Sequence, residues 1–229
     1  ISRGIIAITK IDLADSEMIE IVEAEIADLV HESFLASAPV TRVSAKTGEG
    51  LEEIRKLIAD AIRQQRQKDE QGPFRFPIDR VFTMKAFGTV ITGTVFSGYL
   101  EEDEAVQVLP SALHSRARQL QSHNQKLERI SAGMRAAINL PGIAVEQLER
   151  GDTVVKPGAA AATAAFDAKA HLLPSAPRKL ARSSAVRVYS ATNQQAARMI
   201  LFGQAELAPG RESFVQLRCQ KAVCVFRGD

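Results

Sequence analysis

Asp79-Arg-Val-Phe-Thr-Met-Lys-Ala-Phe-Gly88-Thr-Val-Ile-Thr-Gly93-Thr-Val-Phe-Ser-Gly98 is the stretch on which the fold turns. Val81, Thr83 and Lys85 alternate with Phe82, Met84 and Ala86, and β-branched residues crowd Thr89 to Val95. That is strand composition with a period near two. Gly88, Gly93 and Gly98 interrupt it, and glycines within such a run mark bulges, tight bends or close backbone approach. The stretch predicts a long bent hairpin in a small β-barrel.

Toward the N-terminus the texture is different. Gly4 to Thr9 is a short continuous apolar run, the mark of a strand buried on both faces. Asp15 or Ser16 can cap a helix in which Ile19, Val22, Ile26 and Leu29 recur at helical spacing. After Pro39, Val40 to Val43 predicts a second strand, Thr47-Gly48-Glu49-Gly50 a turn, and Leu51 onward a second helix. Strand, helix, strand, helix with short loops is a parallel α/β layout. The polar run Arg63 to Gln71, ahead of Gly72-Pro73, predicts a solvated linker.

From Phe74 onward strands and turns dominate, and Pro157-Gly158 with the alanine run Ala159 to Ala162 marks a second boundary. Ala165 to Leu173, Ala185 to Ser190, Ala196 to Phe202 and Ser213 to Phe226 again predict strands. The expected fold is therefore an incomplete α/β domain (residues 1–71) followed by two all-β barrels (72–158 and 159–229, the last truncated).

The 229 residues are 45% hydrophobic and 24% charged, ordinary globular composition. A net charge of +2 is too small to announce a nucleic-acid partner. Cys219 and Cys224 are an odd number of strand positions apart and point to opposite faces, so a mutual disulfide is not expected and a reducing cytoplasm fits. No membrane-length apolar run and no signal peptide occur. The chain opens without methionine into one strand and closes just after another, so an internal fragment of a longer protein is expected.

Two short motifs end the two predicted parallel strands. Ligands of open α/β sheets bind beyond the carboxyl ends of the strands, which is where Thr9-Lys10-Ile11-Asp12 falls. An aspartate there can accept both the ring N–H and the exocyclic amine of guanine, a donor pair that adenine lacks. Lys10 can lay its aliphatic stem along the base. Asp12 as a helix cap is the plainer alternative. Ser44-Ala45-Lys46 ends the next strand, where a small residue lets backbone N–H groups approach the guanine carbonyl; a glycine-containing strand-to-helix turn is its plainer alternative.

In order and context the pair resembles the last two nucleotide motifs of translational GTPases, the Asn/Thr-Lys-x-Asp and Ser-Ala-Lys boxes. The resemblance implies GTP as ligand, read by Thr9, Lys10, Asp12, Ser44, Ala45 and Lys46, with Mg2+ as its companion. The phosphate-cradling loop and the metal-binding Asp-x-x-Gly segment of that superfamily do not occur in these residues and would lie upstream. The expectation is that this chain alone binds GTP weakly and does not hydrolyse it.

The hairpin core Gly88-Thr-Val-Ile-Thr-Gly93 looks like the second-domain signature of elongation factor Tu and its relatives. Pro77-Ile78-Asp79-Arg80-Val81-Phe82 precedes it, and Thr94 stands where elongation factor Tu carries arginine. With Arg116 to Asn124, Ala132 to Leu140 and Glu149-Arg-Gly-Asp152, the chain is similar to the bacterial selenocysteine-specific elongation factors, closely over residues 1–158 and loosely beyond. The resemblance implies a cytoplasmic GTPase delivering selenocysteinyl-tRNA to the ribosome at UGA codons. It also implies recognition of a selenoprotein mRNA hairpin through winged-helix domains beyond Asp229, and no membrane partner.

Carried over by position, Asp79, Arg80 and Arg135 line the selenocysteine pocket. A selenol is an anion at neutral pH where serine is neutral, so two guanidinium groups would reward it. Asp79 could take the aminoacyl ammonium or hold the arginines in place. An Asp–Arg surface pair that merely stabilises the hairpin is the alternative. His123 could pack against the terminal adenosine of the tRNA or simply sit on a hairpin tip, the commoner role of a lone histidine. Arg178, Lys179, Arg182 and Arg187 form a basic cluster, either a phosphate-contacting face or a solvated loop. The family's His-x-Gly-Thr does not follow this strand; Tyr189-Ser-Ala-Thr192 stands there. Two other assignments stay open: a different cargo within the superfamily (elongation factor Tu or an initiation factor gamma subunit), and a non-catalytic β-barrel interaction module.

Overall fold

The computed structural model describes residues 3–64, 70–85 and 88–229. The chain divides into two compact units, residues 1–67 and 68–229. Most of the predicted linker (Gln65 to Asp69) and the Ala86-Phe87 pair of the opening hairpin lie outside the described residues.

In the first unit β1 (Ile6–Thr9) pairs in parallel with β2 (Val40–Val43), placing Thr9 beside Val43. Helix α1 (Ser16–Val30) follows β1, and α2 (Leu51–Arg63) follows β2. Asp15 caps α1, its Oδ1 accepting from the Met18 N–H at 2.8 Å. The expectation that β1 is buried on both faces is not met: Ile6 and Ile8 are half-buried, while Ala7 and Thr9 are exposed. Two paired strands offer too little surface to cover two helices. Neither helix has a fully buried residue, and Leu29 and Ile62 face solvent. No helix among the described residues is long and apolar enough to cross a membrane.

The second unit is almost entirely strand. Its first part runs β3 (Arg75–Met84), β4 (Gly88–Thr94), β5 (Tyr99–Glu101), β6 (Ala105–Leu109), β7 (Leu113–Arg116) and β8 (Gln119–Ser122). It continues with β9 (Gln125–Leu127), β10 (Arg129–Ser131), β11 (Arg135–Asn139) and β12 (Thr153–Val155). Eight of these join in the order β7-β6-β12-β3-β4-β11-β8-β9, and β5 pairs with β10. One core lies inside them, with Phe76, Ile78, Ile91, Leu120 and Ile138 fully buried. Alternating strand faces supply it, as the period-two reading requires. The hairpin's far end departs from that alternation. Phe82, Thr83 and Met84 are all exposed, because the β3–β4 ribbon runs past its neighbours.

The remaining strands are β13 (Thr163–His171), β14 (Leu180–Ala181), β15 (Ser183–Ser190), β16 (Asn193–Leu201), β17 (Glu206–Leu207) and β18 (Glu212–Val223). Four of them form an antiparallel sheet in the order β13-β18-β16-β15 around Met199, Leu201, Leu207 and Val215. The alanine run packs between the two sheets, Ala160 and Ala162 touching a cluster of Leu109, Val155 and Cys224. Arg75 crosses the same seam. It forks onto both carboxylate oxygens of Asp229 at 2.8 Å and stacks on Phe226 with its guanidinium carbon 3.9 Å from the ring centre. Cys219 and Cys224 are both free thiols.

Candidate functional site

Parallel pairing of β1 and β2 sets the first candidate site, because it brings both strand ends to the same edge. Ser44, the residue after β2, is completely buried, and its hydroxyl donates to Asp12 Oδ1 at 2.6 Å. The two motifs, 32 residues apart, therefore meet side chain to side chain. Asp12 sits in a short turn of 3-10 helix (Ile11–Leu13) entered through Lys10, whose φ of 61° is uncommon for a side-chain-bearing residue. Lys10, Asp12, Ala45 and Lys46 are exposed, as is Thr9 at the end of β1. Asp12 Oδ2 has no protein donor among the described residues, so one carboxylate oxygen is held and the other is free for a ligand.

The turn behind this site is built for close approach. The Thr47 N–H donates to Ser44 Oγ at 3.2 Å, and the Gly48 N–H donates to the Ser44 carbonyl at 2.9 Å. A Cβ on Gly50 would lie 1.9 Å from the Arg42 carbonyl oxygen. Only glycine lets the chain turn from β2 into α2 here. The guanine edge fits what is present: a held aspartate, a lysine stem and a buried hydroxyl. Mg2+ is different, since no group of three or more His, Cys, Asp or Glu side chains among the described residues could hold a metal.

The second candidate site is made by a bulge. Ile78 pairs with Gly93 but Arg80 pairs with Thr92, so Asp79 is the extra residue of β3. The hairpin glycines predict bulges, tight bends or close backbone approach; the bulge falls on Asp79, and Gly93 marks a close approach, since a Cβ there would meet the Pro77 carbonyl oxygen at 2.3 Å. A bulge sets two consecutive residues against one partner. Asp79 and Arg80 thus both face Thr92, on the side of the sheet away from the core.

Thr92 Oγ1 donates to Asp79 Oδ1 at 2.8 Å, and Arg135 Nη1 donates to Asp79 Oδ2 at 2.5 Å. Asp79 thus holds Arg135, a contact common to the arginine-orienting role and to a surface pair that stabilises the hairpin. Burial pushes its carboxyl up, but hydrogen bonds from Arg135 and Thr92, with the charges of Arg135 and Arg80, more than offset this and hold it below the usual carboxylate range. The Asp79 hydrogen bond in turn raises the Arg135 guanidinium. Arg80 is exposed and has no ion-pair partner among the described residues. A ligand anion would meet one free arginine and one half-neutralised by Asp79.

Beside Arg135 lies a cleft of about 290 Å³, lined by Thr92, Ser122, His123, Asn124 and Ala137 among others. His123 and Asn124 both have positive φ, 51° and 62°, and form the two-residue turn between β8 and β9. Ser122 Oγ holds this tip to β11 by donating to the Arg135 carbonyl at 2.7 Å. His123, set aside as a tip residue, thus shares a cleft with the candidate pocket. A hairpin tip at His123 is legible in the sequence, but not that β8 lies against β11.

The basic cluster is dispersed. Lys179 pairs with Glu206 at 2.5 Å, whereas Arg187 stands on the outer face of β15. Glu149 to Asp152 forms a turn, the Asp152 carboxylate accepting from the Glu149 N–H at 3.0 Å. Burial pushes the Asp152 carboxyl up.

Residues 88–155 match the sequence model of Elongation factor Tu domain 2. Over all 229 residues the chain is 35% identical to the selenocysteine-specific elongation factor of Desulfomicrobium baculatum. Over its whole length this chain is similar to the selenocysteine-specific elongation factors. The family member of Escherichia coli K12 is 33% identical over 148 residues, covering 64% of this chain and 24% of that protein. The crystal structure of a bacterial selenocysteine-specific elongation factor, EF-Sec, superposes with a TM-score of 0.83 at 26% identity, covering all of this chain and 37% of that one. The chain spans 36% of the length of the Desulfomicrobium factor.

Proposed function

We propose that this chain is the part of a GTP-dependent elongation factor that reads guanine and receives the aminoacyl end of selenocysteinyl-tRNA, for delivery to the ribosome at UGA codons. Residues 1–71 act as the C-terminal portion of a GTP-binding domain, 72–158 as the second, β-barrel domain and 159–229 as part of a third. Thr9, Lys10, Asp12, Ser44, Ala45 and Lys46 contact the base of GTP. Asp79, Arg80 and Arg135 contact the aminoacyl group. GTP with Mg2+ would supply the phosphate chemistry of the whole protein, which works in the cytoplasm and also engages the selenoprotein mRNA hairpin.

The observation that carries the cargo reading is the bulge at Asp79, which turns Arg80 outward beside the Asp79–Arg135 pair. A selenolate gains from this net positive face, and a neutral seryl hydroxyl gains far less. The test compares selenocysteinyl- and seryl-tRNA affinities of the GTP-bound factor with its Arg80→Ala and Arg135→Ala variants. Loss of preference for selenocysteine is the expected result. Equal losses for both tRNAs would remove the arginines from discrimination.

A further inference from the structure

The outer face of the four-stranded sheet carries charges that the folded protein does not neutralise. Arg198 on β16 stands directly opposite Arg218 on β18, and both are exposed. Cross-strand neighbours have Cβ atoms only about 5 Å apart, so like charges in this relation repel. Arg187 lies one row along on the same face, opposite Ala196. Among the described residues none of the three has a carboxylate ion-pair partner, whereas the lysines of this sheet do, Lys169 with Glu212 and Lys221 with Glu149.

The two opposed arginines lean the same way. Arg198 Nη1 donates to Ser183 Oγ at 3.1 Å, and Arg218 Nε donates to Gln216 Oε1 at 2.8 Å. Ser183, Ile200 and Gln216 form a single cross-strand row, so both guanidinium groups lean toward that row, Arg198 on the β15 side and Arg218 along β18, where Gln216 Nε2 also donates to Asp167 Oδ1 at 3.3 Å. Their remaining N–H donors are open to an anion.

Exposed aromatic rings flank this charged row on the same face. Tyr189 lies two residues beyond Arg187, and Phe214 four residues before Arg218; they are 67% and 66% exposed. Counted along the strands, the rings are separated by roughly 26 Å at about 3.3 Å per residue. Cationic side chains between exposed rings suit an extended nucleic-acid strand, with phosphates on the arginines and bases stacked on the rings. A duplex backbone would use the arginines and leave the rings without a role.

We infer that the outer face of β15, β16 and β18 binds single-stranded RNA, with Arg187, Arg198 and Arg218 on its phosphates and Tyr189 and Phe214 against its bases. This surface shares no residue with the guanine and aminoacyl sites and does not depend on the identity of the cargo.

The chain carries its own probe, since it has no tryptophan and two tyrosines. The other, Tyr99, is enclosed between Arg129 and Lys156, 4.0 and 4.3 Å from its ring centre. Titration with an oligoadenylate of roughly ten nucleotides should quench about half of the tyrosine emission. In Tyr189→Phe the quench should vanish while binding, followed by anisotropy of labelled RNA, persists. Arg198→Gln with Arg218→Gln should weaken binding about tenfold or more and reduce the log–log salt slope by about 1.4. Thermal melts should show this variant at least as stable as the parent, since it relieves a like-charge contact. Unchanged affinity in the double variant, unquenched tyrosine at saturation, or equal affinity for an RNA duplex of the same length would each overturn the inference.

Discussion

Arg135 on β11 and Asp79 in the β3 bulge are 56 residues apart in sequence and meet at 2.5 Å across the intervening strand β4. Thr92, on that strand, holds the other carboxylate oxygen. The pair is half open to water, the Arg135 side chain being 53% exposed, so its worth in stability is small. A double-mutant cycle with Asp79→Asn and Arg135→Gln should return a coupling of about 0.5–1 kcal/mol in urea unfolding.

The same contact sets a pH dependence. The folded pKa of Asp79 lies below its ordinary value. A carboxylate of this kind adds stability that is fully present above its unfolded pKa and is lost as pH falls through the folded one. The contribution should therefore be constant at neutral pH and disappear on acidification past the usual carboxylate range. Asp79→Asn should flatten that part of the stability–pH curve, while leaving the slope above pH of about 6 unchanged.

Removing the Ser44 hydroxyl tests the first site. Ser44→Ala frees Asp12 Oδ1 from its buried donor, so the carboxylate is no longer oriented. Calorimetry on the complete factor should show GDP affinity reduced about 10- to 150-fold, since one oriented charge-assisted hydrogen bond is worth roughly 1.5–3 kcal/mol. Asp12→Ala should go further and remove the preference for GDP over ADP. Retained preference in Asp12→Ala would take Asp12 out of base recognition.

Two glycines of the opening hairpin should respond to alanine for different reasons. Gly93→Ala drives a methyl into the Pro77 carbonyl oxygen, 2.3 Å away, and should cost about 3 kcal/mol. Gly88 has open space around it but a φ of +80°, so Gly88→Ala should cost only about 1–2 kcal/mol of backbone strain. Denaturant midpoints of the two variants rank them directly.

The seam between the two sheets should be the more sensitive place. Arg75 is 11% exposed at its side chain and Asp229 24%. Asp229→Asn leaves a nearly buried guanidinium without its counter-charge, and should destabilise by about 3 kcal/mol. Thermal unfolding of the variant against Phe226→Leu would separate the lost charge pair from the lost ring contact.

Local periodicity by itself determined most of the elements: both strands and both helices of the first unit, and the four long strands at the C-terminal end, to within three residues. The local order also put Asp12 and Ser44, 32 residues apart, at one edge, because parallel β–α–β order brings both strand ends there. Sequence could not decide burial in the first unit, since burial depends on how many strands are present to be covered. Nor could it place the bulge, which is a register shift between two strands and leaves no mark within one of them. Resemblance implied that Asp79 and Arg135 share a pocket, but only the tertiary structure set their contact, put His123 beside them and brought Arg198 opposite Arg218. Those are cross-strand relations fixed by β3–β4–β11–β8 and β16–β18 pairing, between residues whose local sequence is indifferent to what lies across from them.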